Sequence, residues 1–273
     1  MRDSCDLHVH TTLSDGTFTP AQIVKKAVEL GLRAVAITDH DTVAGIGQSL
    51  EAAAGTGLEI IPGIEMSADI DAGELHMLGY FMDYKSGPLL KELEDCCNIR
   101  TQRIYKIVER LEKMGINIRS DEVFNEANGI AVGRPHVARV MLKKGYIKNT
   151  SEAFRKYIGE KCPAYVGKKK TTPEKVIEII RKAGGMAGIA HPGSINRDDL
   201  IVRLIDRGLQ FIEAYHPDHS TSIEKHYKKM AERKGLLVTG GSDFHGINKQ
   251  SVSLGSKTVP YSTVEEIKRR LKL

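Results

Sequence analysis

The sequence has few of the residues that build stacking surfaces or sulfur-bound metal sites. None of its 273 residues is tryptophan, and aromatic residues make up only 5%. This scarcity argues against a platform that stacks sugars or single-stranded bases. The four cysteines, Cys5, Cys96, Cys97 and Cys162, form no CxxC pair. We therefore expect reduced thiols without a catalytic role, and any metal site should lack sulfur ligands.

Long apolar runs are missing as well. The first five residues lack the apolar stretch of a secretion signal, and no later stretch approaches the ~20 apolar residues that span a bilayer. We therefore expect a cytoplasmic protein that does not associate with membranes. Nothing in the sequence indicates an obligate protein partner.

Composition is typical of a soluble globular enzyme. Hydrophobic residues make up 41% and charged residues 27%, values that exclude the disordered and fibrous classes. The formal net charge of +5 is mild and favours a phosphate-bearing partner. The one dense charge run, Lys168-Lys169-Lys170, is interpreted as a solvated loop.

Short apolar segments alternate with amphipathic helical segments in the first and last parts of the chain. Thr19-Pro20 is typical of a helix start and Gly31 of a helix end. The alternation predicts a parallel α/β architecture, with strands that close into a βα barrel. The first predicted strand leads into His8 and His10, and the others cover residues 34–38, 59–64, 75–80, 186–190, 211–215 and 236–239.

The middle of the chain has a different pattern. Long amphipathic helical patterns run over residues 89–114 and 135–144, with a further helix start at Ser120, and strand signals are few. We therefore predict a barrel domain over residues 1–85 and 168–273. Residues 86–167 are predicted to form a helical insertion that folds over the mouth of the barrel.

Polar side chains follow the predicted strands. His8 and His10 are two residues apart in a strand, so both imidazoles can face one cation. The later polar clusters each follow an apolar run, so they can converge on one rim of the barrel. A single histidine is more often structural than a ligand, but nine candidate ligands at strand ends favour a metal site: His8, His10, Asp15, His40, Glu65, His76, His191, Asp243 and His245.

Nine such groups exceed what one ion can hold, so the count favours a binuclear or trinuclear site over a mononuclear one. Imidazole and carboxylate ligands without thiolate suit manganese, iron or zinc. Clustered divalent ions lower the pKa of a shared water toward neutrality and neutralise charge that develops on a phosphoryl group. Such chemistry needs no organic cofactor.

At these residues the chain resembles the PHP (polymerase and histidinol phosphatase) superfamily of metal-dependent phosphoesterases. The resemblance implies a distorted βα barrel with a metal cluster at the carboxyl ends of the strands. The motifs that carry it extend over most of the chain: Asp6-Leu7-His8-Val9-His10-Thr11, Ser14-Asp15-Gly16, Thr38-Asp39-His40-Asp41, Gly63-Ile64-Glu65, His76, Ala190-His191-Pro192-Gly193 and Ser242-Asp243-Phe244-His245.

The resemblance also implies how the ligands divide among two or three divalent ions. The first ion would be held by His8, His10, Glu65 and Asp243. The second would be held by Asp15, His40 and His245. Glu65 would bridge to a third ion held by His76 and His191.

Within the superfamily, three further segments resemble a smaller group of stand-alone enzymes. Its members include a phosphatase that removes the 3′-phosphate of nucleoside 3′,5′-bisphosphates and a 5′-to-3′ exoribonuclease that acts on short RNA. The segments are Gly133-Arg134-Pro135-His136-Val137-Ala138-Arg139, Pro163-Ala164-Tyr165-Val166 and Glu213-Ala214-Tyr215-His216-Pro217-Asp218-His219. The resemblance therefore implies a small nucleotide or a short RNA as substrate, cleaved by a metal-bridging hydroxide.

Asp15, Arg134 and His216 are the predicted catalytic residues. Arg134 precedes a helix start, and its planar guanidinium suits bidentate binding of phosphate, although it can equally be a surface arginine. His216 follows a strand and can bind phosphate or protonate the leaving oxygen; the alternative is a structural histidine. Asp39 can orient an imidazole or cap a loop. His136, His219 and His226 are predicted to be structural or peripheral.

Two other functions fit the same sequence. One is a phosphatase or phosphodiesterase for another small molecule, such as a cyclic sugar phosphate or histidinol phosphate. The barrel chemistry would be unchanged, and only the shape of the substrate pocket would differ. The other is a non-catalytic module in which metal ions stabilise a binding surface. The complete set of candidate ligands disfavours the second alternative.

Overall fold

The computed structural model describes residues 3–71, 73–127, 131–167, 171–249 and 252–273. Within these ranges eight strands form one sheet in the order β7-β6-β5-β4-β3-β2-β1-β8. The lysine run at 168–170 lies outside the described residues. The strands are β1 Ser4–Val9, β2 Ala34–Ile37, β3 Glu59–Ile70, β4 Gly73–Tyr80, β5 Met186–Ile189, β6 Phe211–Tyr215, β7 Leu237–Gly240 and β8 Val259–Pro260.

The edge of β1 that does not pair with β2 brings the sheet almost to closure. Near its start β1 pairs antiparallel with β8. Further along, Asp243 N donates to the carbonyl of His8 at 2.8 Å, and His10 N donates to the carbonyl of Phe244 at 3.0 Å. A side chain at Gly241 would collide with the backbone nitrogen of His8, so only glycine lets this segment approach β1. The barrel predicted from the sequence is confirmed.

Apart from β8, which is antiparallel to β1, one strand departs from the predicted parallel order. β4 pairs antiparallel with both β3 and β5. The sequence between β3 and β4 is too short to hold a crossover helix, and antiparallel neighbours are the strands that a short turn can join. The parallel prediction is therefore wrong at β4, whereas β1–β2–β3 and β5–β6–β7 are parallel.

Helices cover the sheet and fill the middle of the chain. Thr19 accepts a hydrogen bond from Gln22 N, and Pro20 begins α1, as the sequence predicts for this helix start. None of the helices in the described ranges combines the length and the apolar character that crossing a bilayer requires. The helices are α1 Pro20–Glu29, α2 Ala44–Ala53, α3 Gly87–Lys113, α4 Ser120–Glu126, α5 Arg134–Lys143, α6 Thr150–Ala153, α7 Pro173–Lys182, α8 Asp198–Ile205, α9 Thr221–Lys234 and α10 Tyr261–Leu271.

Residues 87–158, called here the helical segment, have a core of their own. Ile104, Ile107 and Leu111 of α3 are fully buried against Val137 and Met141 of α5. This cluster is separate from the apolar clusters that pack inside the barrel and between the barrel and its outer helices. The helical segment therefore has a packed core of its own. Leu89 and Leu93 of α3 pack into the barrel cluster, and polar contacts join the segment to the barrel loops.

Candidate metal centre

The first two candidate ligands lie at the end of β1 on the same face of the strand. His8 and His10 are fully buried, whereas Val9 between them packs into the apolar core. The Nε2 atoms of the two histidines are 3.1 Å apart. Neutral imidazoles gain little from this arrangement on their own, but two lone pairs at this distance fit one cation bound at ~2.1 Å.

Two carboxylates complete the first group. Oε2 of Glu65 lies 3.3 Å from Nε2 of His8 and 3.1 Å from Nε2 of His10. Oδ1 of Asp243 lies 3.4 Å and 3.2 Å from the same two nitrogens. All four side chains are buried. These four residues form one of the groups able to hold a metal ion, and they are the four that the family resemblance assigns to the first ion.

Glu65 links this group to the next strands. Its Oε1 lies 2.9 Å from Nδ1 of His76 on β4 and 3.0 Å from Nε2 of His191 after β5. Its Oε2 lies 3.1 Å from Nδ1 of His40 after β2. One carboxylate therefore contacts histidines from several different strands, which is the position of a bridging ligand.

Asp15 is the centre of another group. Nε2 of His245 lies 3.2 Å from its Oδ1, and Nε2 of His40 lies 3.8 Å from its Oδ2. His10 also reaches this group through Nδ1, 3.8 Å from Oδ1 of Asp15. The resemblance assigns His10 to the first ion alone, but the geometry places it within reach of two groups. Likewise His40 groups both with Asp15 and with Glu65 and His76.

The polar atoms of this centre fit divalent cations. Nδ1 of His10, Nδ1 of His40 and Oε2 of Glu65 are buried and, within the described part of the chain, make no hydrogen bond. Buried polar atoms without a partner are costly, so their convergence indicates a ligand. All the donor atoms are nitrogen or oxygen. This set suits divalent metal ions, and manganese, iron or zinc stays the prediction.

Electrostatics point the same way. Burial raises the pKa of the buried carboxyls of Glu65 and Asp243, but the surrounding histidines overcome it and hold both pKa values well below the usual range. Burial lowers the pKa of His10, but Asp243 and Glu65 raise it to about 10. The carboxylates thus create a potential that favours positive charge, which a bound metal ion supplies more effectively than protons.

The backbone is strained where ligands enter the site. His191 has φ 26° and Asp243 has φ 51°, and Asp41, next to His40, also has φ 51°. Positive φ is uncommon for residues other than glycine, and such strain concentrates at functional sites. At His191 it turns the chain at the end of β5 into the centre.

Glu213 is a candidate functional residue that the sequence analysis assigned no role. It is fully buried on β6, and Oε1 accepts from Nδ1 of His8 at 2.8 Å. Its Oε2 accepts from the backbone N–H of His191 at 2.8 Å. The first contact places the proton of His8 on Nδ1 and leaves Nε2 free to bind metal. The sequence signals were an acidic residue inside an otherwise apolar strand and its place at the start of the segment Glu213 to His219 that carries the family resemblance.

Two other buried carboxylates hold loops. Asp39 accepts from the backbone and hydroxyl of Thr11, both at 2.7 Å, and from the hydroxyl of Ser14 at 2.6 Å. Of the two roles predicted for it, loop capping is therefore the one these bonds perform. Asp6 accepts from Ser242 N and Gly255 N, both at 2.8 Å. Burial raises the pKa of Asp6 to about 6.

His216 lies beside the first group, with both ring nitrogens engaged. Its Nδ1 accepts from Asp218 N at 3.1 Å, so its proton is on Nε2, which lies 3.3 Å from Oδ2 of Asp243. It is 1% exposed. This arrangement orients the Asp243 carboxylate. Because both ring nitrogens are engaged, His216 has none left with which to donate a proton to the leaving oxygen.

Arg134 is the first residue of α5, and its side chain lines a cavity next to the candidate metal centre. Its guanidinium contacts Oε2 of Glu74 at 3.3 Å and lies 5.5 Å from the ring centre of Tyr165. Arg100 and Arg103 of α3 line the same cavity of about 170 Å³, which we call the arginine cavity. Asp15, His40 and His76 also line it, so it adjoins the candidate ligands.

The two α3 arginines were missed by the sequence analysis. Arg100 Nε donates to Oδ2 of Asp41 at 2.7 Å. Arg103 Nε donates to the carbonyl of Val166 at 2.7 Å, and one terminal nitrogen, NH2, is buried and makes no hydrogen bond within the described residues. Both read as ordinary surface charges of an amphipathic helix, and only the tertiary fold buries them.

The remaining histidines occupy the structural positions predicted for them. His136 accepts from Gly133 N at 3.0 Å through Nδ1 and donates from Nε2 to the carbonyl of Ser14 at 3.1 Å, so it joins α5 to the loop that carries Asp15. His219 lies between the carbonyl of Ala214 and Gly193 N. His226 pairs with Asp198 near the surface.

A larger cavity opens on the other side of the ligands. It has a volume of about 330 Å³ and we call it the open cavity. His40 and His76 line both it and the arginine cavity. Its other lining residues are Glu65, His191, Gly193, Ser194, His216, Asp218, His219, Asp243 and His245. Asp15, Asp243 and His245 also line a third cavity of about 240 Å³, so the candidate ligands border three cavities.

Comparison with known proteins relates this geometry to catalysis. A family model for the PHP domain matches residues 6–118. The chain is 34% identical over 250 residues to the 5′-3′ exoribonuclease Rnm of Escherichia coli, covering 88% of this chain and 84% of the relative. It is 33% identical over 246 residues to a 3′,5′-nucleoside bisphosphate phosphatase of Chromobacterium violaceum, covering 88% and 86%.

A third relative acts on a cyclic phosphate. The phosphoribosyl 1,2-cyclic phosphate 1,2-diphosphodiesterase of Eggerthella lenta is 30% identical over 254 residues, covering 88% of this chain and 94% of the relative. Among solved structures, a proposed metal-dependent phosphoesterase from Bifidobacterium adolescentis superposes with a TM-score of 0.90. It is 33% identical in sequence, and the match covers 97% of this chain and 96% of that one.

Proposed function

This chain belongs to the PHP domain family, and we propose that it is a metal-dependent phosphoesterase that hydrolyses phosphate esters of small nucleotides or the 5′ ends of short RNA. The observation that carries the proposal is one continuous site. Nitrogen and oxygen ligands from several strands converge beside a cavity lined by Arg100, Arg103 and Arg134. The first part suits activation of water, and the second suits an anionic substrate. A cytoplasmic location remains a prediction.

We propose two or three divalent ions, of manganese, iron or zinc, held by the nine predicted ligands. Such ions, when bound, supply an activated water near pH 7 and neutralise charge on the phosphoryl oxygens. The protein's own contribution is positional. Glu65 joins the ligands of several strands, Asp15 holds His245 and His40, and His216 orients Asp243.

The substrates of two relatives share one nucleotide. A nucleoside 3′,5′-bisphosphate and a 5′-phosphorylated RNA both begin with a 5′-phosphate and carry a phosphate ester on the 3′ oxygen. We propose that the arginine cavity binds the 5′-phosphate, with Arg134 as its bidentate donor. The 3′ ester then lies at the metal ligands, where water attacks phosphorus and the P–O3′ bond breaks. Residues 86–167, the predicted insertion, supply the arginines.

The test is hydrolysis by purified protein supplied with manganese. The panel holds nucleoside 3′,5′-bisphosphates, 5′-phosphorylated oligoribonucleotides and the same oligonucleotides with a 5′-hydroxyl. We expect release of phosphate from the first group and of mononucleotide from the second, with the third a poor substrate. If neither phosphorylated group is hydrolysed, the proposal fails.

Two variants separate the roles of the cavity and of the centre. Arg134→Gln should lower kcat/KM for the bisphosphate by about tenfold to a hundredfold, since it removes a charged hydrogen bond to phosphate. Arg119→Gln removes an exposed arginine of the same helical segment and should change little. Asp15→Asn should abolish most turnover with folding preserved, and full turnover in this variant would favour the non-catalytic alternative.

A second candidate substrate is a cyclic sugar phosphate. The similarity to the Eggerthella lenta cyclic phosphate diesterase favours it. We therefore add a phosphoribosyl 1,2-cyclic phosphate, together with histidinol phosphate, to the panel. A kcat/KM for either compound above that for every nucleotide would replace the nucleotide assignment and leave the phosphoesterase assignment intact.

A further inference from the structure

Glu74, on β4, lies between the arginine cavity and the candidate metal centre. One oxygen of its carboxylate, Oε2, lies 3.3 Å from a terminal nitrogen of Arg134 and 3.6 Å from a terminal nitrogen of Arg103. The other oxygen, Oε1, lies 3.4 Å from Nε2 of His76, and Nδ1 of the same ring lies 2.9 Å from Glu65. A single carboxylate therefore contacts two arginines of the cavity and one predicted metal ligand.

The charges of the three cavity arginines are balanced unequally. Arg100 has a close partner, because its Nε donates to Asp41 at 2.7 Å. Arg103 and Arg134 instead share Glu74, at distances longer than the ~2.7–2.9 Å of a charge-assisted hydrogen bond. Burial lowers the pKa of Arg103, Arg134 lowers it further, and Glu74 raises it. The two guanidinium groups thus repel each other, and Glu74 offsets part of the repulsion.

The shared pair of arginines has bonding capacity left for an anion. One terminal nitrogen of Arg103, NH2, is buried and makes no hydrogen bond within the described part of the chain. The carboxylate of Glu74 offers two oxygens and one negative charge. A terminal phosphate offers three acceptor oxygens and roughly 1.5 to 2 negative charges at neutral pH. Phosphate therefore competes with Glu74 for both arginines at an advantage.

We propose that Glu74 is a positioning residue that couples phosphate binding in the arginine cavity to metal binding at His76. This inference rests on the proposed function, which places a substrate phosphate in that cavity. Without substrate, Glu74 holds Arg103 and Arg134 in place. When phosphate binds both arginines, the carboxylate is left to His76 and accepts more strongly from its Nε2–H. The other ring nitrogen, Nδ1, then becomes a better metal ligand.

The coupling acts in both directions. Once Nδ1 of His76 is engaged as a ligand, Nε2–H is a stronger donor and draws the Glu74 carboxylate away from the arginines. Phosphate then meets less competition in the cavity. Linkage requires that phosphate tightens metal binding by the same factor by which metal tightens phosphate binding.

Glu74→Gln tests the competition. It removes the negative charge and nearly keeps the shape, so the arginines lose a competing anion. Calorimetric titration of inorganic phosphate into metal-free protein should give a Kd about threefold to tenfold lower for the variant than for the natural protein. The matched control is Glu160→Gln, at an exposed carboxylate close to Gly73 at the start of β4, and it should leave the Kd unchanged. A merely structural role of Glu74 predicts weaker binding, which is the opposite sign.

Manganese titration tests the coupling in the natural protein. The ligand is adenosine 5′-monophosphate, which carries the 5′-phosphate of the proposed substrates. Manganese should bind at least about fivefold more tightly in its presence than in its absence. In Glu74→Gln this ratio should fall below about twofold. The measurement on the natural protein tests the inference even if the variant does not fold.

The results lead to separate conclusions. The inference is overturned by phosphate binding that is equal or weaker in Glu74→Gln, by no phosphate binding to either protein, or by a manganese affinity that is independent of the nucleotide. A manganese ratio that the variant preserves would also overturn it, because the coupling would then not pass through Glu74. If the natural protein hydrolyses no nucleotide, the proposed function fails, but the phosphate titration still tests Glu74.

Discussion

Buried charge is arranged differently in the two regions of the molecule. At the carboxyl end of the barrel, histidines and carboxylates face one another at 2.8 to 3.8 Å, and within the described residues several of their buried atoms make no hydrogen bond. In the helical segment, Arg100 is bonded to Asp41 and Ser67, and Arg139 to Glu126, whereas Arg103 keeps one buried nitrogen without a hydrogen bond among the described residues. The comparison shows how an incomplete polar cluster, which requires a ligand, differs from a completed one, which holds the structure.

The largest expected effect comes from the centre of the incomplete cluster. Glu65→Gln removes the charge that five histidines share, so the ligands of several strands lose their common partner. We expect a loss of bound metal and a fall in kcat/KM of at least about a hundredfold. The measurements are elemental analysis of protein purified without chelator and turnover of the bisphosphate.

The matched control is Glu232→Gln on the exposed face of α9. Full metal content in the Glu65 variant would mean that the cluster is held by other ligands. The comparison between the two regions would then fail at its central residue.

The next effect concerns the completed network. Arg100→Met leaves the buried carboxylate of Asp41 without its main cation, so the free energy of unfolding should fall by about 3 to 5 kcal/mol. Arg119→Met breaks an arginine–aspartate pair that is exposed on the same segment, with a cost of about 1 kcal/mol or less. Urea unfolding of both variants measures the difference. Equal losses in the free energy of unfolding of the two variants would mean that Arg100 does not stabilise the contact between the helical segment and the barrel.

Much of the barrel and of the ligand set could be predicted because the signals are local. Strands and helices alternate in short periods, and most ligands lie in short motifs at or just after strand ends, as with His8 and His10. Glu65 and His76 are exceptions, because the structure places them within β3 and β4. The direction of β4 could not be read this way, since strand direction depends on how its neighbours pair.

Contacts between distant residues explain what else was missed. Glu213 is 205 residues from His8 and 22 from His191, so its role exists only in the fold. Arg100 and Arg103 lie on an amphipathic helix whose charged face would normally be solvated. Their burial follows from how α3 packs on the barrel loops, which sequence periodicity does not report.

The pH dependence of stability tests the contact that His136 makes between α5 and the loop that carries Asp15. Burial lowers its pKa to about 4, so the folded protein holds it neutral while the unfolded chain binds a proton below the ordinary pKa of 6.5. Its contribution is complete above pH 6.5 and is lost as the pH falls toward 4. The loss is on the order of 3 kcal/mol.

The measurement is the free energy of unfolding of the natural protein and of His136→Gln from pH 7 to pH 4. We expect the two curves to approach each other as the pH falls, because glutamine has no proton to gain. Parallel curves would show that His136 titrates alike in both states. Any loss of stability of the helical segment at low pH would then have to come from another group.

The smallest expected effect concerns Glu213, which shares features of the incomplete and of the completed cluster. Each carboxylate oxygen of this residue accepts a hydrogen bond. Through these bonds the residue orients His8 and holds the strained backbone of His191. Glu213→Gln keeps the shape, but an amide cannot accept from both N–H groups. We expect metal affinity to fall by about tenfold to a hundredfold.

Calorimetric titration of metal into metal-free protein measures this affinity directly and does not depend on substrate. Asp39→Asn is the matched comparison, because Asp39 is equally buried but its hydrogen bonds hold the loop at Thr11 and Ser14. It should lower stability more than metal affinity. A Glu213 variant that binds metal as tightly as the natural protein, and only unfolds more easily, would place Glu213 with the loop-holding carboxylates.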